Sequence, residues 1–201
     1  LLENILTEAR QISNSDGGTL YLMIDNDRRL EMSIVQNESM NMFSGGTYKK
    51  NKSLYPVKLY DSETGKENLH NISAACALQG RTILIEDIYT NTEFDLSGPK
   101  GFDKKHNYHS KCFLNVPMKN HKGVVIGVLQ LLNPMNGDEI TTYDENLIKL
   151  VESLTSQASI ALTNQLLIDE QKQLFKSFIQ LVSEALEKKD KATGGHCTRV
   201  P

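Results

Sequence analysis

Three groups of residues in this 201-residue chain have types and spacings that could do chemistry. Near the end, Thr193-Gly-Gly-His-Cys-Thr-Arg-Val200 places His196 after a glycine pair and close to Arg199. An imidazole beside a guanidinium is the beginning of a metal- or phosphate-binding set. A metal-activated water needs several ligands around its ion. His196 alone cannot supply them, so its partners are expected from sequence beyond Pro201, and the residues present are expected to be catalytically inert. The second group is His106, His109 and Cys112, spaced three apart. On a helix these would share a face and could ligate zinc. The run Lys111–Met118 has a strand pattern, however, in which residues three apart face opposite ways. That segment therefore reads as solvated loop followed by a core cysteine. The third group is Asp87, Tyr89, Phe102, Tyr108, Ser110 and Asn115. Aromatic faces can stack on a flat ligand while hydroxyl and amide groups bond its edge, as in a concave, mostly apolar small-molecule site. These six are the candidate ligand-binding residues. Elsewhere no acid–base pair and no partnered nucleophile emerges, which disfavours a free-standing enzyme.

Composition narrows the classes further. The net charge of −3 gives no general attraction to nucleic acid or to an anionic membrane. No run of 18 apolar residues exists, so no membrane span is expected. The three cysteines, Cys76, Cys112 and Cys197, are far apart and odd in number, which fits a reducing compartment better than a disulfide scaffold. No signal-peptide pattern opens the sequence, so a cytoplasmic location is expected.

These residues must be positioned by the elements around them. Apolar residues at Leu1, Ile5, Leu6, Ala9 and Ile12 have helical spacing, and Asn14–Gly18 is a turn cluster that ends the helix. Thr19–Asp25 and Leu30–Val35 read as a hairpin around Asn26-Asp-Arg28. Residues 36–67 are polar, with short strand pieces expected near Tyr55–Leu59. Asn68–Leu78 is helical and Gly80 suits its end. A short strand Thr82–Glu86 leads into a long polar crossover, Asp87–Ser110, expected to fold over the central strands and form the ligand pocket. Strands Lys111–Met118 and Val124–Leu132 form a second hairpin, and Asn133–Asp138 reads as loop. Thr142 with Glu145 has capping-box spacing.

From there no Pro or Gly interrupts the chain to about Lys189. A heptad seam fits this stretch: Leu147, Val151, Leu154, Ala158, Ala161, Gln165, Ile168, Lys172, Phe175, Ile179, Val182 and Leu186. Only Gln165 and Lys172 are polar, and the steps alternate between four and three, which is coiled-coil spacing. Parallel homodimerisation through helix 143–189 is expected. The first half of this helix can also pack on the sheet and the second half belong to a following domain.

The expected class is α+β, with an antiparallel central sheet flanked by helices and a long C-terminal helix. Within it, residues 1–168 resemble a GAF domain, a small-molecule sensor fold. The resemblance is carried by Ile72-Ser-Ala-Ala-Cys-Ala-Leu-Gln-Gly-Arg-Thr-Ile-Leu-Ile-Glu-Asp87, Phe113-Leu-Asn-Val-Pro-Met118 and Gly123-Val-Val-Ile-Gly-Val-Leu-Gln-Leu-Leu-Asn133. It implies a sensory pocket. Family members that bind cyclic nucleotides carry Asn-Lys, a Phe, and Asp-Glu. Here Asn133 is followed by Pro134, Ile140 stands for the phenylalanine, and Asp144-Glu145 match. Losing the lysine removes its salt bridge to the aspartate, and two acids in a first helical turn are favoured by the helix dipole in any case. Redox members of the family use two pocket thiols within bridging distance, but Cys76 and Cys112 lie on different elements. Bilin attachment pairs a cysteine with a following histidine, but Cys112 precedes Phe113.

Residues 174–201 resemble the opening of an HD-GYP-type or related HD phosphohydrolase domain, on Ala185–Asp190 and Thr193–Val200. This implies divalent metal ions in that domain, His196 as a first metal ligand, and a cyclic dinucleotide such as cyclic di-GMP as substrate. Ala192 stands where some members use a glutamate, which favours a two-metal centre. The expected whole is a sensor of an unknown small molecule, a cyclic nucleotide being one candidate, that regulates a metal-dependent phosphodiesterase. A ligand-free dimerisation scaffold is the alternative.

Overall fold

The computed structural model describes residues 1–24, 26, 28–49 and 56–194, with side chains to 184. Helix α1 (Leu2–Ile12) leads into β1 (Ser15–Ile24), β2 (Arg29–Asn37), β3 (Met42–Ser44) and β4 (Val57–Lys58). Then follow α2 (Ile72–Gln79), β5 (Ile83–Ile85), α3 (Ser97–His106), β6 (Phe113–Lys119), β7 (Val125–Asn136), β8 (Glu139–Ile140) and α4 (Glu145–Gly194). Among the described residues the sheet runs β3-β2-β1-β7-β6-β5, with β4 on β2 and β8 on β7, every pair antiparallel. The α+β class, the flanking helices and the long C-terminal helix are as expected.

Strand alternation divides the sheet into two faces. Thr19, Tyr21, Val128, Gln130, Phe113 and Asn115 look toward α2 and α3. Leu20, Leu129, Leu131 and Leu114 look toward α1 and the first turns of α4. The core on the α2 side joins Tyr21, Leu30, Leu59, Ile85, Ile88, Phe113 and Val128 to the buried face Ile72–Ala77 of α2. On the other face Leu6 and Ala9 of α1 and Val151 of α4 are buried. Tyr143, buried ahead of α4, bonds Ser15 at 2.8 Å and so ties the start of that helix to the start of β1.

The chain departs from the sequence expectations in several places. β1 begins at Ser15, inside the expected turn cluster, because Gly17 and Gly18 serve as strand residues. A Cβ on Gly18 would sit 2.7 Å from Leu6 Cδ1 and 3.0 Å from the Gln130 carbonyl, so the bare backbone lets α1 press onto the sheet. The crossover 87–110 contains helix α3. Its Pro99 falls in the first turn, where a missing N–H costs nothing. β7 continues past Leu132 to pair with β8, with Asn133 taking a left-handed φ of 50° at the bend. Finally, Asp144 rather than Thr142 caps α4, accepting the Leu147 N–H at 2.8 Å. The short strand expected near 55–59 is β4, and Tyr55 lies outside the described residues.

The chain divides into two compact units, Leu1–Ala161 and Leu162–Pro201. In the first, α4 buries Val151, Thr155 and Ser159. Val151 is therefore core and not available to a helix seam, whereas Leu154, Ala158 and Ala161 are partly or fully exposed. In the second, Leu174, Phe175, Phe178, Ile179 and Leu181 are exposed on the helix. No described helix is long and apolar enough to cross a membrane.

Gly18→Val should test the close approach of α1. The added side chain meets a backbone carbonyl as well as Leu6, and overpacking of this kind costs about 1–3 kcal/mol. Urea unfolding should show a loss in that range. Unchanged stability would contradict the contact.

Candidate functional site

A cavity of about 350 Å3 lies between the α2-facing side of the sheet and the two helices that cover it. β1 supplies Thr19 and Tyr21, β2 supplies Met32, Val35, Gln36 and Asn37, and β7 supplies Gln130 and Leu132. The start of α2 supplies Asn71, Ile72 and Ser73. α3 adds Gly98, Pro99 and Phe102, and the segment into β6 adds Tyr108, Ser110 and Phe113. Met40, Met42 and Val57 close it on the β3 and β4 side.

One wall is polar but uncharged. Tyr21 donates to Gln130 Oε1 at 3.4 Å, Gln130 Nε2 donates to Asn115 Oδ1 at 3.2 Å, and Asn115 Nδ2 donates to Ser73 Oγ at 3.0 Å. Ser73 and Thr19 in turn hydrogen-bond the Tyr21 hydroxyl, closing a ring. Burial pushes the Tyr21 phenol up, against the pull of those two bonds, so it stays a neutral donor. The sheet register makes the ring possible: Thr19 and Asn115 lie beside Gln130 on either side, all on one face.

Two further networks hold α3 and the loops at its ends. The buried Asp103 carboxylate accepts from Ser110 N at 2.8 Å, Ser110 Oγ at 2.7 Å and Tyr89 Oη at 2.7 Å. That last bond holds the exposed Tyr89 phenol at about 12, because losing its proton would place a second negative charge against the carboxylate. Tyr108 donates to Asp16 Oδ2 at 2.5 Å and accepts from Asn133 Nδ2 at 3.0 Å. Burial, then the Asp16 carboxylate, pushes the Tyr108 phenol well up. Asp16 also takes Ser39 N, Ser39 Oγ and Asn37 Nδ2, and its backbone carbonyl takes Arg10 Nη2 at 3.0 Å. Asn133 Oδ1 accepts from Lys111 N at 2.8 Å and Cys112 N at 3.2 Å, so its left-handed bend is held from both ends.

Of the six residues proposed from sequence, Phe102, Tyr108 and Ser110 line the cavity. Asn115 does not. It is fully buried behind Gln130 and Ser73, whose positions it fixes. Tyr89 is 44% exposed, stacks on His109 at 4.9 Å, lies under the Lys100 ammonium at 5.6 Å and donates its hydroxyl to Asp103. Asp87 lies in a separate shallow depression with Glu86 and Thr90, its carboxylate capping the Tyr89 N–H at 2.8 Å. Both belong to the crossover but turn away from the cavity. Sequence reasoning missed Thr19, Tyr21, Ser73, Gln130 and the methionines. The available signal was Gln130 and Asn115, two amides inside otherwise apolar strands.

His106 packs tilted against Phe102 at 4.3 Å while His109 stacks on Tyr89, and Cys112 is buried against Thr142. Among the described residues no His, Cys, Asp and Glu group could hold a metal ion. His196 lies outside the described residues. Cys76 and Cys112 are free and buried. Burial pushes the Cys76 thiol up to about 12 and the Cys112 thiol upward as well.

The GAF domain model matches residues 1–163. This chain belongs to the GAF domain family. Its role is accordingly that of a regulatory, sensory domain. Among solved structures, this GAF domain is similar to residues 122 to 287 of a methyl-accepting chemotaxis protein. The TM-score is 0.58 at 17% identity, over 83% of this chain and 89% of that one. It is also similar to the blue-light absorbing form of the PixJ GAF domain of Thermosynechococcus elongatus, with TM-score 0.56 at 14% identity over 86% of this chain and 88% of that one. At such identities the likeness is one of fold. Among curated proteins it is 31% identical over 99 residues to the dual 3',5'-cyclic-AMP and -GMP phosphodiesterase 11 of Drosophila melanogaster, covering 49% of this chain and 6% of that one. It is 29% identical over 114 residues to phosphodiesterase 11A of Takifugu rubripes, of the same dual description, covering 55% of this chain and 12% of that one. The GAF domain thus spans only a small part of these relatives.

Two outcomes check the site. Asp103→Ala removes the acceptor of three bonds, and hydrogen bonds to a charged group contribute about 1.5–3 kcal/mol. Urea unfolding should show a loss of about 2 kcal/mol or more, and no loss would mean that α3 is held otherwise. In a Cys197→Ser background, iodoacetamide at pH 8 should label neither Cys76 nor Cys112 until denaturant is added. Labelling of the native protein, read by mass spectrometry, would contradict their burial.

Proposed function

We propose that this GAF domain senses a small molecule in the α2–α3 cavity and passes its occupancy along α4 to a metal-dependent HD-type phosphodiesterase. The observation that carries the ligand-binding role is the cavity itself, apolar on most sides with one wall of preset hydrogen-bonding groups. Such a site suits recognition, because its uncharged polar groups are already oriented by bonds to one another. Of the residues proposed from sequence, Phe102, Tyr108 and Ser110 would touch the ligand, with Asn115 acting as a positioning residue.

In this reading residues 1–168 are the sensory domain and 174–201 open the phosphohydrolase domain, in the cytoplasm. Support for the phosphodiesterase comes from the Thr193–Val200 string and from the curated relatives, both phosphodiesterases by name. The divalent metal ions of that domain would need ligands besides His196. None is assembled among the described residues. Two copies associate through helix 143–189. Binding shifts such an assembly only through a difference in affinity for its two states, here two arrangements of the paired helices. α4 suits this because it is one unbroken element from Glu145 to Gly194.

A cyclic nucleotide as ligand is the second reading, favoured by the names of the same relatives. Pro134 in place of a lysine and the use of Asp144 as a helix cap count against it.

Ala158→Asp with Ala161→Asp places charges on the exposed side of α4, next to α1. Light scattering should show a dimer for the native chain and a monomer for the double variant. An unchanged dimer refutes the seam. In the full-length protein, His196→Ala should abolish metal-dependent hydrolysis of a cyclic dinucleotide, and retained activity would remove the HD assignment.

A further inference from the structure

We infer that the cavity selects an uncharged flat heterocycle whose edge carries a hydrogen-bond donor beside an acceptor, and that it discriminates against a phosphate. This rests on the ligand-binding role proposed above and names the chemistry of the ligand.

The first ground is charge. Among the described residues that line the cavity none is Asp, Glu, Lys, Arg or His. Behind the lining stand two carboxylates, Asp103 bonded by Ser110 and Asp16 bonded by Tyr108, against one guanidinium, Arg10 bonded to Gln36, so this outer layer gives an anion no net attraction. The backbone offers little in compensation. The start of α2 borders the cavity, but its Ser73 and Ala74 N–H groups both donate to Asn71 Oδ1 at 3.1 Å. At the start of α3 the Ser97 N–H donates to Asp95 Oδ1 at 3.0 Å, and Pro99 has no N–H. A phosphate entering here would lose its water without gaining a cation, and an unpaired buried charge is strongly disfavoured.

The second ground is the unused capacity of the polar wall. A glutamine amide has two N–H donors and two acceptor lone pairs. The ring uses one N–H of Gln130 for Asn115 and one lone pair of Oε1 for Tyr21. One donor and one acceptor of the same amide are left over, on a group that borders the cavity. Their natural complement is a lactam-like edge, N–H next to C=O, on a neutral ring. Phe102, Phe113, Met32 and Met42 supply apolar surface for the faces of such a ring, and thioethers adapt to irregular outlines.

Guanosine and its 3',5'-cyclic monophosphate share the ring and its lactam edge and differ in the charged phosphate, so they are the matched probes. Calorimetry on the native chain should show guanosine binding at least about tenfold more tightly than the cyclic monophosphate, a difference of about 1.4 kcal/mol. Met42→Lys, which puts a cation in the β3 wall, should narrow or reverse that ratio. Equal or tighter binding of the cyclic monophosphate by the native chain overturns the inference and leaves the ligand-binding role standing. If neither probe binds, ligand-observed NMR with paired neutral and anionic heteroaromatic fragments decides. Preference for neutral lactams supports the inference. Preference for anions overturns it alone. No binding by any fragment overturns it together with the ligand-binding role.

Discussion

Asn115 and Gln130 sit opposite each other in the middle of the two most apolar strands, their amides turned to the same face. Water does not reach Asn115, so its hydrogen bonds must be made within the protein. Gln130 satisfies one side and Ser73 the other, and Tyr21 completes the circuit. Ser73 lies in the first turn of α2, so the requirement fixes where that helix starts over the sheet. Tyr21 lies on the central strand, so it also fixes which face of β1 looks toward α2. The four groups polarise one another, and loss of any one leaves its neighbours unsatisfied in a low-dielectric interior. The polar groups of the cavity wall are held in place for this reason.

Much of the scaffold was legible in the sequence because its signals are local. Helix α2 is marked by an apolar face and by Gly80, which takes a left-handed φ of 59° at its end. β6 and β7 announce themselves by their apolar runs. The α3 helix was hidden because Gly98, Pro99 and Gly101 read as breakers, although the first turn of a helix tolerates proline. The early start of β1 was hidden because a glycine pair normally signals a turn. Here the pair is selected by the closeness of α1, which is tertiary information.

The candidate site was less legible for the same reason. Its crossover residues could be guessed from aromatic and polar types, and three of them reach the cavity. Direction within a loop is set by which carboxylate captures which side chain. Asp103 binds Tyr89 and Ser110 together, yet only Ser110 lies at the cavity wall. The polar ring draws on four separate elements joined by strand register, which a single sequence does not reveal. Membership in the GAF family accounts for the scaffold, while ligand chemistry follows from the lining. That lining differs in charge from what a nucleotide phosphate would need.

Asp16 gives the architecture a property of its own. Its carboxylate holds Tyr108 at the cavity wall and Ser39 in the turn after β2, while its main-chain oxygen holds Arg10 of α1 on the opposite side of the sheet. One residue at the first bend of the chain is therefore a hub between layers that the sheet otherwise separates. A side-chain swing of Tyr108 that breaks its bond frees one acceptor on the residue that also anchors Arg10. The helix layer is thus linked to the chamber around the start of β1, by a route that does not pass through the close-packed interior.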